Sequence, residues 1–192
     1  MEFLGKGKRG KVYLEKGIAT KFSQTFRVKN EVYWLKILNK YNIGPKLVSY
    51  TEDSFSYNFV KGIEIIPWVE KSNKKEIIKV LKEIINQCEI LDSLNVNKKE
   101  MNHPYKHILV EKNKPVMIDF ERCKITENPK NVNQFGQYLM SKNISSLLKQ
   151  KNIIINKDKL KATLKEYKKT RKKATLNQIL KVLQLDDKAK QI

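Results

Sequence analysis

Between Lys11 and Phe22 the sequence alternates in polarity, turns on a glycine and alternates again, a pattern that suits paired strands and excludes a helix. Val12 and Leu14 fall on one face of KVYLE while Lys11, Tyr13 and Glu15 fall on the other, the period of two that a strand requires. Lys16-Gly17 supplies a turn, and Ile18-Ala19-Thr20-Lys21-Phe22 returns as a second strand. The period then changes. In RVKNEVYWLKIL, Val28, Val32, Leu35 and Leu38 recur at helical spacing and define an inward stripe. NIGPKLVSY turns at Gly44-Pro45 and enters a strand, EDS turns again, and FSYNFV completes a hairpin. With the strand supplied by the N-terminal residues, five strands and one helix are expected before Phe59-Val60-Lys61-Gly62 ends the β-rich region. The expected class is α+β, with an antiparallel sheet and one helix in residues 1–61 and a mainly helical remainder in 62–192.

The glycines ahead of this hairpin are constrained by their flanking residues. Gly5, Gly7 and Gly10 fit GxGxxG, a spacing shared by dinucleotide-binding folds and by the loop that kinases lay over ATP. In a dinucleotide fold the glycine turn comes after a buried strand and opens a helix, because the pyrophosphate sits at that helix's N-terminus. Here only four residues precede Gly5, and a strand begins after Gly10. Gly5 to Lys11 also reads as GxxxxGK, but Val12 stands where that phosphate loop needs Ser or Thr to hold magnesium. What remains is a glycine-rich link between antiparallel strands, set among the cationic Lys6, Lys8, Arg9 and Lys11. Val12 is then placed to cover an adenine ring. IATK resembles the VAIK strand, which nominates Lys21 for the α- and β-phosphates. Glu31 is the helical acid nearest to Lys21 in the chain and the candidate to hold that lysine; the competing assignment is an i,i+4 pair with Arg27.

At 192 residues and 40% hydrophobic content the chain can bury a core of its own, in one domain or one domain divided into two small lobes. No run approaches the length of a membrane span, so a soluble cytoplasmic protein without membrane contact is expected. Cys88 and Cys123 make neither a disulfide framework nor a four-ligand zinc site and read as small core residues. Forty Lys and Arg against twenty Asp and Glu give a formal charge of +20. Such a field draws polyanions and is screened by salt, so RNA, ribonucleoprotein and ATP are the candidate partners. The competing explanation is a lysine-rich composition whose charges are merely solvated. Lys165 to Lys173, KEYKKTRKK, is the densest run and has both readings.

The second half begins with a long amphipathic helix from Lys74 to Leu94, with Ile77, Leu81, Ile84, Cys88 and Leu91 inward. It delivers the chain to KKEMNHPYKHILVEKNKPVMIDFE. Two short apolar strands, Ile108 to Val110 and Val116 to Ile118, flank a polar five-residue connection. Pairing Val110 with Val116 sets Ile108 opposite Ile118 and His107 opposite Asp119, about 5 Å apart at their bases. Two such ligands at the mouth of a hairpin suit Mg²⁺ held with nucleotide phosphates. Amphipathic helices come next, at Val132 to Met140, Ile144 to Leu148, Lys157 to Lys168 and Leu176 to Leu185.

Taken in order, GKGKRGKV, IATK, RxxxE at Arg27 to Glu31, IGP, ExxxPxKHILV at Glu100 to Val110, and IDFE resemble an atypical protein kinase, similar to the small RIO-like predicted Ser/Thr kinases of archaeal type. These blocks span residues 5 to 121. The resemblance implies a two-lobed kinase-like fold and transfer of the ATP γ-phosphoryl group to a protein hydroxyl. It implies that the backbone at Phe59 and Val60 meets adenine, and that Asp119, in the Asp-Phe-Gly position, binds metal with His107 in place of the usual Asn. Glu100 takes the place of the catalytic Asp that orients the acceptor hydroxyl, and Lys106 lies near the transferred phosphate. Lys98-Lys99-Glu100 departs from His-Arg-Asp, and seven residues rather than five lead from Glu100 to His107. Imidazole is also a softer partner for Mg²⁺ than oxygen is, so Mn²⁺ is the better match. His103 is the alternative reactive histidine. No activation segment ending in Ala-Pro-Glu is visible. Three further readings stand beside the kinase: a slow ATPase switch in a ribosomal or tRNA-modifying assembly, a nucleotide-binding pseudokinase, and a basic RNA-binding domain with no nucleotide site.

Overall fold

In a computed structural model the chain is described over residues 2–7 and 10–185. Lys8 and Arg9, two of the cationic residues between the glycines, lie outside the described residues. The N-terminal part is a five-stranded antiparallel sheet of β1 (Glu2–Gly7), β2 (Gly10–Glu15), β3 (Ile18–Ser23), β4 (Leu47–Tyr50) and β5 (Ser54–Asn58), in the order β1-β2-β3-β5-β4. One helix, α1 (Thr25–Leu38), interrupts it between β3 and β4. The antiparallel hairpins and their single helix match the expectation.

The register explains the composition of the sheet's two faces. Gly5 pairs with Val12, Val12 with Lys21, and Lys21 with Phe55, so these four stand in one row on one face. Directly opposed residues share a face because side chains alternate along each strand. Helix α1 lies over this face, where Val28, Val32, Leu35 and Leu38 are buried together with Phe55. The other face carries Phe3, Tyr13 and Phe22, with ring centroids 5.4 Å apart between Phe3 and Tyr13 and 5.8 Å apart between Tyr13 and Phe22.

A coil over residues 59–62 leads into the C-terminal part. There β6 (Ile63–Glu64) enters a small sheet with two later strands, and α2 (Ile65–Lys71) and α3 (Lys74–Ser93) come after it. Helix α2 has no counterpart in the sequence reading: seven residues containing Pro67 are too few to show a helical period. Helix α3 begins on a reciprocal cap, in which Asn73 Oδ1 accepts from the Glu76 amide at 3.0 Å and Glu76 Oε2 accepts from the Asn73 amide at 3.1 Å. Its predicted inward residues Ile77, Leu81, Ile84, Cys88 and Leu91 are all buried. After β7 (Val96–Asn97) come two short 3-10 turns, Lys99–Asn102 and Pro104–Lys106. The hairpin β8 (Ile108–Glu111) and β9 (Lys114–Met117) is next, then β10 (Lys124–Ile125), which pairs with β7. Helices α4 (Asn131–Met140), α5 (Lys142–Gln150), α6 (Lys157–Thr170) and α7 (Lys173–Val182) complete the described elements. Cys88 and Cys123 are buried free thiols, as expected.

The hairpin register differs from the sequence expectation by one residue. Ile108 faces Met117, Leu109 faces Val116 and Val110 faces Pro115, not Ile118, Met117 and Val116 in turn. The connection is the two-residue turn Lys112-Asn113, with φ of 49° and 59° at its two positions, rather than a five-residue loop. Two left-handed central residues match the twist of the flanking strands, which is why such turns dominate tight hairpins. A slip of one residue exchanges the faces. Pro115 and Met117 are therefore buried with Ile108 and Val110, while Val116 and Ile118 are only half-buried.

One apolar core runs through both parts. Phe120 is fully buried, and Gly44, at φ 82°, is packed so closely beneath it that an added Cβ would lie 2.8 Å from the Phe120 ring. The loop after α1 is thereby pressed against the segment after β9. Trp34 Nε1 donates to the Cys123 carbonyl at 3.0 Å and Asn30 Nδ2 to the Glu121 carbonyl at 2.7 Å, tying α1 to the same segment. Among the described residues no helix is long and apolar enough to cross a membrane.

Candidate active site

These ties bring β3, α1 and the end of the β9 strand to one point. Lys21 projects from the middle of β3, and its Nζ donates to Glu31 Oε2 on α1 at 2.7 Å and to Asp119 Oδ1 at 3.3 Å. Glu121 Oε2 stands 3.9 Å away. Glu31 does not pair with Arg27; that arginine bonds Gln24 at 3.0 Å and Glu121 Oε1 at 3.3 Å. The second oxygen of Glu31 accepts from the Phe120 amide at 3.2 Å, so one buried carboxylate fixes both the lysine and the backbone beside Asp119.

The charges are strongly coupled. Burial opposes the Lys21 ammonium, but Glu31, Asp119 and Glu121 outweigh burial and hold its pKa above the usual lysine value. Burial pushes the Glu31 carboxyl up, and Asp119 adds to that, against the opposing pull of Lys21 and the Phe120 amide. Burial likewise works against Asp119, yet Lys21, Lys98 and His107 together hold it below the ordinary carboxylate value. Burial, seconded by Lys98, lowers His107, leaving a neutral imidazole near pH 7.

His107 pairs across the hairpin with Ile118, whose amide donates to the His107 carbonyl at 3.0 Å. It meets Asp119 nonetheless, Nδ1 lying 3.7 Å from Oδ2, because Asp119 leaves the strand at φ 64°. A left-handed conformation is costly for a residue with a Cβ and persists only where its surroundings impose it. The two oxygens of Asp119 are thus divided, Oδ1 facing Lys21 and Oδ2 facing His107.

The donor set fits a hard divalent cation. Glu31, Asp119 and Glu121 offer oxygens within 4.8 Å of one another, and the buried His107 Nδ1 has no hydrogen-bond partner among the described residues. Lys21 stands among the three carboxylates, which leaves the His107 side of Asp119 as the freer approach.

The glycines separate into two kinds. A Cβ at Gly10 would collide with the Phe22 carbonyl oxygen, so strand pairing itself requires glycine there. At Gly5 an added Cβ would meet nothing within 4 Å among the described residues, whose packing asks for no glycine there. Gly5 shares the face of Val12 and Lys21, and Gly7 pairs with Gly10 at the end of the same hairpin. In the connector, the Phe59 amide is bonded to the Gly17 carbonyl at 2.9 Å and the Lys61 amide to Glu111 at 2.6 Å; Val60 lies between them.

Glu100 is buried, with Oε2 3.4 Å from Lys98 Nζ and Oε1 3.6 Å from Arg122 Nε. Lys106 is exposed, its ammonium 5.9 Å from the Tyr105 ring, and its described contacts do not join it to the cluster. His103 is exposed as well. Sequence reasoning missed Glu121, Arg27 and Lys98. Glu121 had a signal, since an acid stands in IDFE where glycine is usual. Lys98, inside the run Asn-Lys-Lys-Glu, had none.

No known family profile matches the chain. A protein of Methanocaldococcus jannaschii named as uncharacterized, MJ1211, is 29% identical over 120 residues, covering 60% of this chain and 97% of that protein.

Proposed function

We propose that the chain is an ATP-dependent phosphotransferase with a two-lobed, kinase-like arrangement, similar to the RIO-like atypical Ser/Thr protein kinases. The observation that carries this reading is the contact of Lys21 with Asp119, 98 positions later in sequence, under a glycine hairpin. Phosphoryl transfer asks a protein chiefly to position reactants and offset charge. Lys21 supplies a fixed cation for the α- and β-phosphates, and Glu31 holds it. Gly5, Gly7 and Gly10 let the β1–β2 backbone approach the triphosphate, Val12 covers the adenine, and the connector at Phe59 and Val60 meets its edge. Asp119 and His107 hold Mg²⁺ or Mn²⁺, which when bound neutralises phosphate charge. Glu100 orients an acceptor hydroxyl of a protein substrate. Lys106 serves the transferred phosphate only if its exposed side chain turns inward.

The engagement of Glu100 by both Lys98 and Arg122 favours a second reading, nucleotide binding without turnover. A related slow ATPase would dock on RNA or ribonucleoprotein through α6, whose Lys157, Lys161, Lys165 and Lys168 are exposed. The test is release and transfer of labelled γ-phosphate with each metal, compared with Lys21→Ala, Glu100→Ala and Asp119→Asn. Transfer to protein above the rate of hydrolysis supports the kinase, hydrolysis alone supports the ATPase, and an unaltered chain no faster than its variants removes the enzyme.

A further inference from the structure

Lys98 is a lysine with no exposure to solvent. It sits between β7 and the first 3-10 turn, and its backbone is anchored before its side chain begins. The Lys98 amide donates to Asn131 Oδ1 at 2.8 Å, and Asn131 is fixed in turn by Asp92 Oδ1, which accepts from its backbone amide at 2.8 Å and from Nδ2 at 2.7 Å. From there the side chain runs inward. Its ammonium donates to the Ile118 carbonyl at 2.8 Å and the Asp119 carbonyl at 2.5 Å, and reaches Glu100 Oε2 at 3.4 Å. The Phe120 ring centroid lies 4.7 Å from the same nitrogen. An ammonium has three protons, and three oxygens surround this one.

The two carbonyls are the informative pair. They belong to the two peptides on either side of the Asp119 Cα, whose relative rotation is what φ and ψ of Asp119 describe. In an extended chain successive carbonyls point to opposite sides, and one nitrogen cannot bond both. In a helical conformation of either hand they point the same way. A single ammonium bonded to both therefore excludes the extended conformation that β9 would otherwise continue into. The Asp119–Phe120 peptide is also held from its other end, where the Phe120 amide donates to Glu31.

We propose that Lys98 is a positioning residue for the Asp119 carboxylate: by clamping both flanking peptides it holds Asp119 out of the extended conformation, in the turn that presents Oδ1 to Lys21 and Oδ2 to His107. Through Glu100 the same ammonium sets the acceptor-side carboxylate relative to the metal-side one. This assignment rests on the phosphotransferase reading, and it makes a demand that a merely structural lysine would not. Loss of Lys98 must change metal dependence, while contact of the protein with the nucleotide through the glycine hairpin and Lys21 is retained.

The experiment compares the unaltered 192-residue chain with Lys98→Met and Lys98→Arg, using a non-hydrolysable ATP analogue and Mn²⁺. The analogue's affinity without metal is expected to stay within about twofold in Lys98→Met, while the half-saturating Mn²⁺ concentration rises about tenfold or more. Lys98→Arg, which keeps the donors, is expected to recover most of that loss. A folded Lys98→Met with unchanged Mn²⁺ dependence overturns the proposal, whatever its melting temperature. The unaltered chain gives a second readout that needs no variant to fold. The Lys98 Nζ resonance is expected to shift when Mg²⁺ is added with the analogue and not with the analogue alone, and an unmoved resonance overturns the proposal. A chain that binds neither analogue nor metal refutes the phosphotransferase reading instead, and the assignment falls with it.

Discussion

Replacing Lys21 by Met removes the cation shared by three carboxylates while keeping the side chain's length and apolar stem. The Nζ distances of 2.7, 3.3 and 3.9 Å to Glu31, Asp119 and Glu121 correspond to attractions of about 6, 5 and 4 kcal/mol at an effective dielectric near 20. Mutual repulsion of the carboxylates and desolvation of all four groups offset most of that sum. What the substitution exposes is the cost of stranding buried charge, about 3–5 kcal/mol when one partner of such a set is removed. For a chain of this size that is a fall in melting temperature of roughly 10 °C. Urea unfolding at pH 7 measures it, with Lys36→Met as the control. Lys36 donates to the Tyr50 hydroxyl at 2.7 Å on the exposed side of α1, and its loss costs about 0.5 kcal/mol or less. Mn²⁺ restores part of the Lys21→Met loss, because the three acids can then share a metal cation. A loss below about 1 kcal/mol, the range of exposed pairs, refutes the reasoning.

Gly5→Val leaves unfolding free energy within about 0.5 kcal/mol, since nothing lies within 4 Å of its Cβ, but lowers ATP affinity about tenfold; normal ATP binding removes Gly5 from the site. Gly44→Ala costs about 1–3 kcal/mol in urea unfolding, because φ is 82° and the Cβ meets Phe120 at 2.8 Å and Leu35 at 3.0 Å; a neutral result refutes that packing. The folded pKa of Lys21 lies above its ordinary 10.5, so its stabilisation is complete below pH 10.5 and is lost as pH rises through the folded value. Asp119 lies below its ordinary 3.8, so its stabilisation is present above pH 3.8 and is lost as pH falls through the lowered value. A Lys21→Met, Asp119→Asn double variant therefore loses both contributions in pH-dependent unfolding, and an unchanged profile contradicts the assignment.

The sheet and α1 were legible because glycines and alternation punctuate them: Lys16-Gly17 and Gly44-Pro45 mark reversals, and Val28 to Leu38 changes the period. The β8–β9 hairpin was legible as a hairpin but not in register. Lys112-Asn113 carries no glycine to mark a two-residue turn, and Pro115 reads as a loop residue. It is accommodated because β9 is an edge strand of β6-β8-β9, where a missing amide breaks no ladder on its outer side. The convergence of Lys21, Glu31 and Asp119 was legible from the order of short motifs. The reason His107 meets Asp119 was not, since it depends on a backbone dihedral at Asp119. Lys98 was illegible because its identity as a lysine argues for the surface, and only its oxygen partners reverse that expectation.

In the proposed function, Lys21 and Asp119 grip one metal-bound triphosphate. Calorimetric titration of ATP, with and without Mg²⁺, into the unaltered chain, Lys21→Met and Asp119→Asn tests it most directly. Saturable binding that Mg²⁺ strengthens is expected in the unaltered chain, weakened in Lys21→Met at every metal concentration and insensitive to Mg²⁺ in Asp119→Asn. Absence of binding in the unaltered chain, or the same Mg²⁺ response in Asp119→Asn, contradicts it.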